Sequence, residues 1–232
     1  MAKVDTTGKV AWVQQFGTVG EGLEFGWAVD TDSQGNVVVS GWTTGDFGSR
    51  TSPTPDSYDV FVSKFDTNGT QLVTKLLGTD TDDGQYFSNL VIDDNDNVYL
   101  TGYTNNEEFG QGGNTKGNDS DAFVAKLDAN LNEQWITQLG VKEKLDYATG
   151  VAVDRDGSVI VTGVTEGAIG NGPGETIDGW VARLDQEKGK LNKFVGKDNS
   201  GFGVISGIGN IAVTDVTSSF ATDDKLPMVT TY

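Results

Sequence analysis

The sequence contains no cysteine and no histidine among its 232 residues. Without cysteine the chain can form neither disulfides nor thiolate metal sites. Without histidine it lacks the most common general base, the Ser-His and Cys-His pairs and imidazole metal ligands. These two absences exclude several classes of enzyme and metal centre, and they leave carboxylates as the main reactive groups.

Proline is also scarce, with 4 residues, whereas glycine is abundant, with 32. Since average glycine usage is about 7%, this combination is typical of an ordered protein with many tight turns. No apolar run approaches the roughly 20 residues that a membrane-spanning helix needs. We therefore expect a folded chain without a membrane span.

Positive charge is in short supply as well, because 16 Lys and Arg face 34 Asp and Glu, for a formal net charge of -18. A field of that sign repels phosphate backbones, so nucleic acid is not an expected partner. It also keeps a secreted or surface protein soluble and attracts cations. Acidic composition alone therefore explains some calcium-like motifs.

One apolar segment recurs four times along the chain. Its spacing is 61, 61 and then 52 residues, and a regular period of this kind indicates repeated units that bury apolar surface against their neighbours. Three copies carry glycine at the same position, at Gly41, Gly102 and Gly163, where a bulge, a close backbone approach or a crowded centre would exclude a side chain. The fourth copy has Asp215 there. The copies are GNVVVSGWT (35–43), DNVYLTGYT (96–104), GSVIVTGVT (157–165) and GNIAVTDVT (209–217).

Three further series of short apolar segments keep the same period. Turn clusters rich in Asp, Asn, Gly and Ser separate them, as tight hairpins require, and no window shows a helical stripe. Four antiparallel strands per unit predict an all-β chain with the architecture of a β-propeller. The series are DVFVSKFD (59–66), DAFVAKLD (121–128) and DGWVARLD (178–185), with AKVD (2–5) as a truncated member; AWVQQFG (11–17), LVTKLLG (72–78), QWITQLG (134–140) and LNKFVG (191–196); and GWAVD (26–30), NLVID (89–93) and GVAVD (150–154).

The repeats predict a single β-propeller domain over residues 1–232. Its four units span about 1–44, 45–105, 106–166 and 167–218, followed by a closing tail at 219–232. We expect a closed four-bladed ring in which Met228 to Tyr232 pair beside the first unit, because open propellers leave edge strands that invite association. Membership of a larger ring, or a ring shared by two chains, is the alternative.

The combination of motifs resembles the bacterial seven-bladed propeller repeat family known as SBBP repeats. The matching elements are DAFVAKLD, a tryptophan seven residues after the closing Asp (Asp5 to Trp12, Asp128 to Trp135), LG, and AVDRDGSVIVTGVT. The resemblance implies a propeller in an exported or cell-surface bacterial protein, with no catalytic activity attached to the repeat. The chain departs from it in having four units rather than seven.

Aspartate-rich turns are the most site-like feature. In DTDSQGN (30–36), oxygen-bearing side chains alternate before a glycine, as in loops that wrap calcium. DDNDN (93–97) and DRDGS (154–158) are shorter relatives, and Asp also caps the backbone of ordinary hairpin turns. Both interpretations, a turn and a calcium site, stay open here. The candidate metal ligands are Asp30, Asp32, Gln34, Asp93, Asp96, Asp154 and Asp156.

For function, the sequence favours a non-catalytic extracellular or cell-surface propeller that serves as a scaffold or interaction module. Its partner would be a protein, a glycan or further copies of itself, in a homo-oligomer or filament. We expect no enzyme, because almost every Asp falls at a repeated turn or strand end rather than in a separate constellation. The alternative is a lectin-like or carbohydrate-active propeller, calcium-assisted, that uses the loops between units. Trp42 and Tyr103 are the candidate ligand-binding residues.

Overall fold

In a computed structural model of the chain, the residues described are 1–18, 22–45, 47, 58–78, 83–84, 89–106, 109–111, 120–141, 143–167, 177–198 and 201–205. These ranges contain strands and turns and no helix, which confirms the all-β prediction. The fourth copy at 209–217 lies outside the described residues, and so does the predicted pairing of Met228 to Tyr232.

The described strands form an N-terminal hairpin and three larger sheets, and all pairs of strands are antiparallel. The N-terminal hairpin consists of β1 (Ala2–Val4) and β2 (Val10–Val13). Sheet 1 consists of β3 (Glu24–Thr31), β4 (Val37–Thr43), β5 (Asp59–Phe65) and β6 (Gln71–Leu77). Sheet 2 consists of β7 (Asp83–Gly84), β8 (Leu90–Ile92), β9 (Val98–Thr104), β10 (Asp121–Leu127) and β11 (Glu133–Leu139). Sheet 3 consists of β12 (Asp146–Val153), β13 (Val159–Thr165), β14 (Asp178–Leu184), β15 (Leu191–Asp198) and β16 (Gly201–Ile205).

Strands within a sheet follow the order of the chain, and in sheet 2 both β7 and β8 pair with β9. Each sheet combines strands from the end of one sequence unit with strands from the start of the next. Sheet 1, for example, takes β3 and β4 from unit 1–44 and β5 and β6 from unit 45–105. The sheets are therefore offset from the sequence units by about half a unit.

Apolar side chains on both faces of the middle strands build three successive cores. In β4 and β5 nearly every residue is buried, because neighbours cover the two faces. Val37, Val39 and Phe61 face the N-terminal hairpin, where Trp12 and Phe16 pack on them. The opposite face of sheet 1 packs on sheet 2 through Val38, Val60, Val62, Leu100 and Phe123, and sheet 2 packs on sheet 3 through Tyr99, Val124, Trp135, Val161 and Trp180.

A hydrogen bond from a recurring lysine ties each sheet to the next one, and a tryptophan adds a second one between sheets 2 and 3. Lys126 Nζ and Trp135 Nε1 both donate to the carbonyl of Gln186, at 3.1 and 3.0 Å. Lys64 Nζ donates in the same way to the Ala129 carbonyl, at 2.9 Å. The residue after the turn aspartate of one sheet is thus the acceptor for the sheet before it.

Trp135→Phe is expected to weaken this link while keeping most of the packing. The change removes the indole N–H and leaves the Gln186 carbonyl to Lys126, so we expect a loss of about 1 kcal/mol in the free energy of unfolding, measured by chemical denaturation. Gln134→Ala, at an exposed position of the same strand, is the control. Equal losses in the two variants would contradict a role for the indole hydrogen bond.

A β-bulge explains the glycine of the repeated segment. In sheet 1 the pairing of β3 with β4 shifts between Gly26 and Ala28, and a β-carbon at Gly41 would collide with the Phe25 carbonyl and lie 3.0 Å from Gly26 Cα. In sheet 3 the shift falls between Ala148 and Gly150, beside Gly163. The glycine is therefore required by a bulge and a close backbone approach within its own sheet.

Candidate functional site

The two ends of the sheets differ in the connections that they carry. At one end, here called the turn end, residues 32–36, 66–70, 93–97, 128–132 and 154–158 join successive strands in tight turns. At the other, here called the loop end, β4, β9 and β13 connect to the next strand through 12 to 16 residues. Two of these connections insert an aromatic anchor, since Phe47 and Phe109 are both 4% exposed and contact Phe61 and Phe123.

Asp32 organises the first turn of the turn end. Its carboxylate accepts hydrogen bonds from the backbone N–H groups of Gln34 and Asn36, and Lys64 Nζ lies 2.8 Å from Oδ2. Burial raises the pKa of Asp32, but the hydrogen bonds from Lys64 and Asn36 outweigh it, and the pKa lies below the ordinary value. The sequence series aligned Asp30 with Asp93 and Asp154, but the turn starts two residues later, at Asp32. Asp30 instead contacts sheet 2, where its Oδ2 accepts a hydrogen bond from the Ile92 N–H.

Asp93 organises the equivalent turn of sheet 2 and also accepts a hydrogen bond from sheet 3. It accepts the N–H groups of Asn95 and Asn97, the hydroxyl of Tyr99 at 3.1 Å and the amide of Gln186 at 2.9 Å. Burial raises the pKa of Asp93, yet the Asn97 hydrogen bonds bring it below the ordinary value. Burial also raises the pKa of Tyr99, so this hydroxyl stays a donor.

The other candidate metal ligands at this end have protein partners as well. Asp96, with a φ of 62°, accepts hydrogen bonds from the N–H and the hydroxyl of Ser33 in sheet 1. Asp154 accepts the Asp156 N–H, and Asp156 forms an exposed ion pair with Arg183 at 2.5 Å. Gln34 contributes its backbone N–H to Asp32. In the ranges that the structure describes, no group of three or more carboxylates is placed to hold a metal ion. The turn interpretation accounts for these contacts, and calcium binding stays a prediction.

Lowered carboxylate pKa values give the turn end a defined dependence on pH. Hydrogen bonds from Thr70 and Asn68 lower the pKa of Asp66, and Asn132 lowers that of Asp128 against the effect of burial. A carboxylate with a lowered pKa stabilises the folded state above its unfolded pKa of about 3.8, and this stabilisation is lost as the pH falls through the folded value. We expect the melting temperature to fall as the pH drops from about 5 to 3.

Asp66→Ala separates this effect from the change in net charge. The difference in melting temperature between wild type and Asp66→Ala, followed by circular dichroism, should be largest above about pH 5 and shrink toward pH 3. Lys9→Ala, at an exposed position in the N-terminal hairpin, serves as a control for a surface change. A difference that stays constant from pH 7 to 3 would contradict the assignment.

The candidate ligand-binding residues lie toward the loop end but are buried. Trp42 is 5% exposed and stacks on Phe25 at 4.4 Å, with Tyr58 edge-on at 4.8 Å. Tyr103 is 8% exposed and packs edge-on against Tyr147 of sheet 3 at 5.4 Å. Both residues therefore contribute to packing, and their role in ligand binding stays a prediction.

The loop end also holds buried carboxylates that the sequence analysis did not single out. Asp121 and Asp146 are 2% and 0% exposed and face each other across Gly140, where a β-carbon would collide with Asp121 Oδ1 and lie 3.1 Å from Asp146 Oδ2. The Gln138 amide donates to Asp121 at 2.8 Å, and the Val141 N–H donates to Asp146 at 2.6 Å. Two sequence signals were available for this site. One is the Asp that begins the series DVFVSKFD, DAFVAKLD and DGWVARLD, and the other is the LG that ends LVTKLLG and QWITQLG.

The same arrangement repeats at the junction of sheets 1 and 2. Asp59 is 2% exposed beside Gly78, and Asp83 is 0% exposed with a hydrogen bond from the Thr104 hydroxyl. The Asp83 N–H donates to the Tyr58 carbonyl at 2.6 Å, as the Asp146 N–H does to Ser120 at 2.7 Å. Because these carboxylates repeat at each junction and are inaccessible, their position suits joining sheets rather than meeting a dissolved substrate.

Antiparallel sheets that pack face to face in chain order, with tight turns at one end and long connections at the other, define a β-propeller. The model of the family described as "SBBP: Beta-propeller repeat" matches residues 74–110 and 134–171. The chain contains repeats of this SBBP β-propeller family, which confirms the resemblance seen in its motifs.

The chain is similar to the crystal structure of a protein of unknown function from Bacteroides caccae, with 10% sequence identity and a TM-score of 0.47. That match covers 85% of this chain and 53% of the other, so this chain spans about half the length of that protein. No curated protein matches. Among the described residues there is no helix of the length and apolar character that a membrane crossing requires.

Proposed function

We propose that this chain is a non-catalytic β-propeller that acts outside the cell as a scaffold or interaction module, and that its loop end contacts the partner. The net charge of -18 suits a soluble surface protein and disfavours nucleic acid as a partner. The partner class that fits best is a protein, or another copy of the chain, with glycan as the second choice.

The contrast between the two ends of the sheets is the observation that carries this proposal. At the turn end the aspartates have their oxygens engaged by turn N–H groups and neighbouring sheets, as at Asp32 and Asp93. At the loop end, the strands of the packed sheets are joined by connections of 12 to 16 residues. The buried side chains of Phe47 and Phe109 anchor two of these connections. Variable connections on a rigid scaffold are where proteins usually place recognition.

A protein partner is favoured over a glycan because the expected aromatic platform is covered. Trp42 and Tyr103 are almost fully buried against Phe25 and Tyr147, so a sugar ring would have little of their surface to stack on. The buried carboxylate pairs at the junctions likewise support a structural role rather than acid-base chemistry on a substrate.

Loop exchange tests the proposal. Residues 48–57 are replaced by a Gly/Ser segment of equal length, with Phe47 and Tyr58 kept, and the matched control changes Asn68 to Ala in a tight turn of the turn end. Self-association is measured by sedimentation velocity, and glycan binding on an immobilised array. We expect binding or association to be lost in the loop variant and retained in the turn variant.

Two outcomes would overturn the proposal. One is binding that depends on the turn end and not on the loops. The other is turnover of a chromogenic glycoside by the wild type that is lost when Asp121 or Asp146 becomes Asn, since that would favour the enzymatic alternative.

A further inference from the structure

The turn that joins β5 to β6 contains an asparagine followed by a glycine, Asn68 and Gly69. Asp66 organises this turn, because its Oδ1 accepts the backbone N–H groups of Asn68 and Thr70, at 2.9 and 2.8 Å. Gly69 has a φ of 87°, and its N–H donates to the Asp66 carbonyl at 3.0 Å. The turn thus depends on the backbone of residue 68 and on the glycine after it.

The side-chain amide of Asn68 does not hold the turn together. Asn68 is exposed, and in the described part of the chain its amide makes no hydrogen bond. The amides of Asn36, Asn97 and Asn132, by contrast, donate to the aspartates of their own turns. The Asn68 side chain is therefore free to rotate toward the backbone nitrogen of Gly69.

An asparagine in this setting can lose ammonia without an enzyme. The Gly69 nitrogen attacks Cγ of Asn68, a C–N bond forms, and the side-chain NH2 leaves as ammonia with the proton of the Gly69 amide. Water then opens the succinimide ring at either carbonyl and yields aspartate or isoaspartate, so that one water is consumed for each ammonia released. Glycine favours the attack because it has no β-carbon to crowd its nitrogen. The Gly69 N–H is engaged in the turn, so the reaction proceeds through local opening, which exposed turns undergo readily.

The next sheet contains the same turn with a leucine in place of the glycine. Asn130 is exposed, and its N–H donates to Asp128 Oδ1 at 2.9 Å, as that of Asn68 does to Asp66. Leu131 has a φ of 62°, and its N–H donates to the Asp128 carbonyl at 2.9 Å. Its side chain is 1% exposed and packs in the core between sheets 1 and 2. The two turns therefore compare an asparagine before a glycine with one before a large, buried residue.

The N-terminal hairpin is attached to sheet 1 at the turn that contains Asn68. Lys3 Nζ and Trp12 Nε1 both donate to the Thr67 carbonyl, at 3.3 and 3.0 Å. The Trp12 ring lies so close to Gly69 that a β-carbon there would be 3.0 Å from Cδ2. The residues on both sides of Asn68 thus contact the hairpin, and a change in the backbone at residue 68 would displace them.

We propose that Asn68 deamidates spontaneously through Gly69, and that the isoaspartate product loosens the N-terminal hairpin from sheet 1. Isoaspartate continues the chain through its side-chain carbon and so adds one methylene to the backbone between Thr67 and Gly69. A turn lengthened in this way does not keep both its hydrogen bonds to Asp66 and its contact with Trp12. The new carboxylate also lies near that of Asp66, and like charges repel. The inference concerns the chemistry of this turn and does not depend on the proposed function.

Ageing the purified wild-type chain in mildly alkaline buffer tests the reaction. Samples are digested with trypsin, and mass spectrometry follows the peptides that begin at Phe65 and Leu127, which contain Asn68 and Asn130. Replacement of NH2 by OH is expected to be at least about tenfold faster at Asn68, a barrier lower by about 1.4 kcal/mol. An isoaspartate-specific methyl-transfer assay should label the Phe65 peptide.

Three results would overturn the reaction. They are equal rates at Asn68 and Asn130, conversion of Asn68 to aspartate without isoaspartate, and no conversion at Asn68 under conditions that convert a synthetic peptide of residues 65–75.

Hydrogen exchange on the aged chain tests the structural consequence. The control is Asn68→Gln aged in parallel, because glutamine must close a less favourable six-membered ring, while the other Asn-Gly pair, at 171–172, ages in both chains. We expect faster exchange in β1 and β2 of the aged wild type, with β9 and β10 unchanged. Equal exchange of the hairpin in the two aged chains would overturn the proposed loosening.

An unaged Asn68→Asp variant separates the new charge from the added methylene. It should speed exchange of the hairpin less than conversion to isoaspartate does. An equal effect would assign the loosening to the charge and overturn the role of isoaspartate.

Discussion

Gly41→Ala is expected to lower the free energy of unfolding by about 3 kcal/mol, which for a chain of this size lowers the melting temperature by about 6–12 °C. The added β-carbon would overlap the carbonyl of Phe25, and this atom belongs to the backbone of the paired strand, so it cannot move aside like a side chain. Circular dichroism on heating, together with urea titration, measures both quantities.

Gly26→Ala is the matched control for this change. It lies opposite Gly41 in the same pair of strands, but its β-carbon would sit 3.6 Å from Val39 Cγ1, an ordinary contact. We expect its effect to stay within about 1 kcal/mol. Equal losses for Gly26→Ala and Gly41→Ala would mean that strand propensity, and not the close approach at the bulge, sets the requirement for glycine.

Asp32→Ala is also expected to have a large effect and to lower the free energy of unfolding by about 3 kcal/mol. The Asp32 side chain is 3% exposed and that of Lys64 13%, so the change leaves a poorly solvated cation. Among the described residues its remaining polar contact is the Ala129 carbonyl. It also frees the turn N–H groups of Gln34 and Asn36. Chemical denaturation at pH 7 measures the loss.

Two further variants separate the charge from the turn. Asp156→Ala breaks an exposed ion pair with Arg183, with side chains 56% and 44% exposed, and should cost less than about 1 kcal/mol. Lys64→Met added to Asp32→Ala removes the buried cation and should recover part of the loss. If the double variant is no more stable than Asp32→Ala, the turn hydrogen bonds and not the ion pair carry the effect.

Much of the fold could be predicted from the sequence because residues that recur at the same position of the repeat make equivalent contacts. Trp12 and Trp135 recur at one position of the repeat, and both indoles make the equivalent hydrogen bond to the neighbouring sheet. Lys64 and Lys126 recurred at one phase, and their amines reach equivalent carbonyls. The four-strand unit was also predicted, because clusters of turn residues separate the apolar segments.

The site was harder to predict because the same residue types serve several purposes. Asp32 looked like a calcium ligand by spacing, and only the position of Lys64 from another strand reveals an ion pair. Asp121 and Asp146 are 25 residues apart in sequence, so their approach across Gly140 depends on tertiary packing. Trp42 looked available, but Phe25 lies over it through a pairing that the sequence does not display.

The half-unit offset between sheets and sequence units has a genetic consequence. Loss of one whole period, such as 45–105, would join β4 to β10, and its duplication would join β9 to a second copy of β5. Either event creates a hybrid sheet. Its strands would pair as before, because Gly41 lies opposite Phe61 just as Gly102 lies opposite Phe123. Recombination between repeats can therefore change the number of sheets without leaving any of them half built.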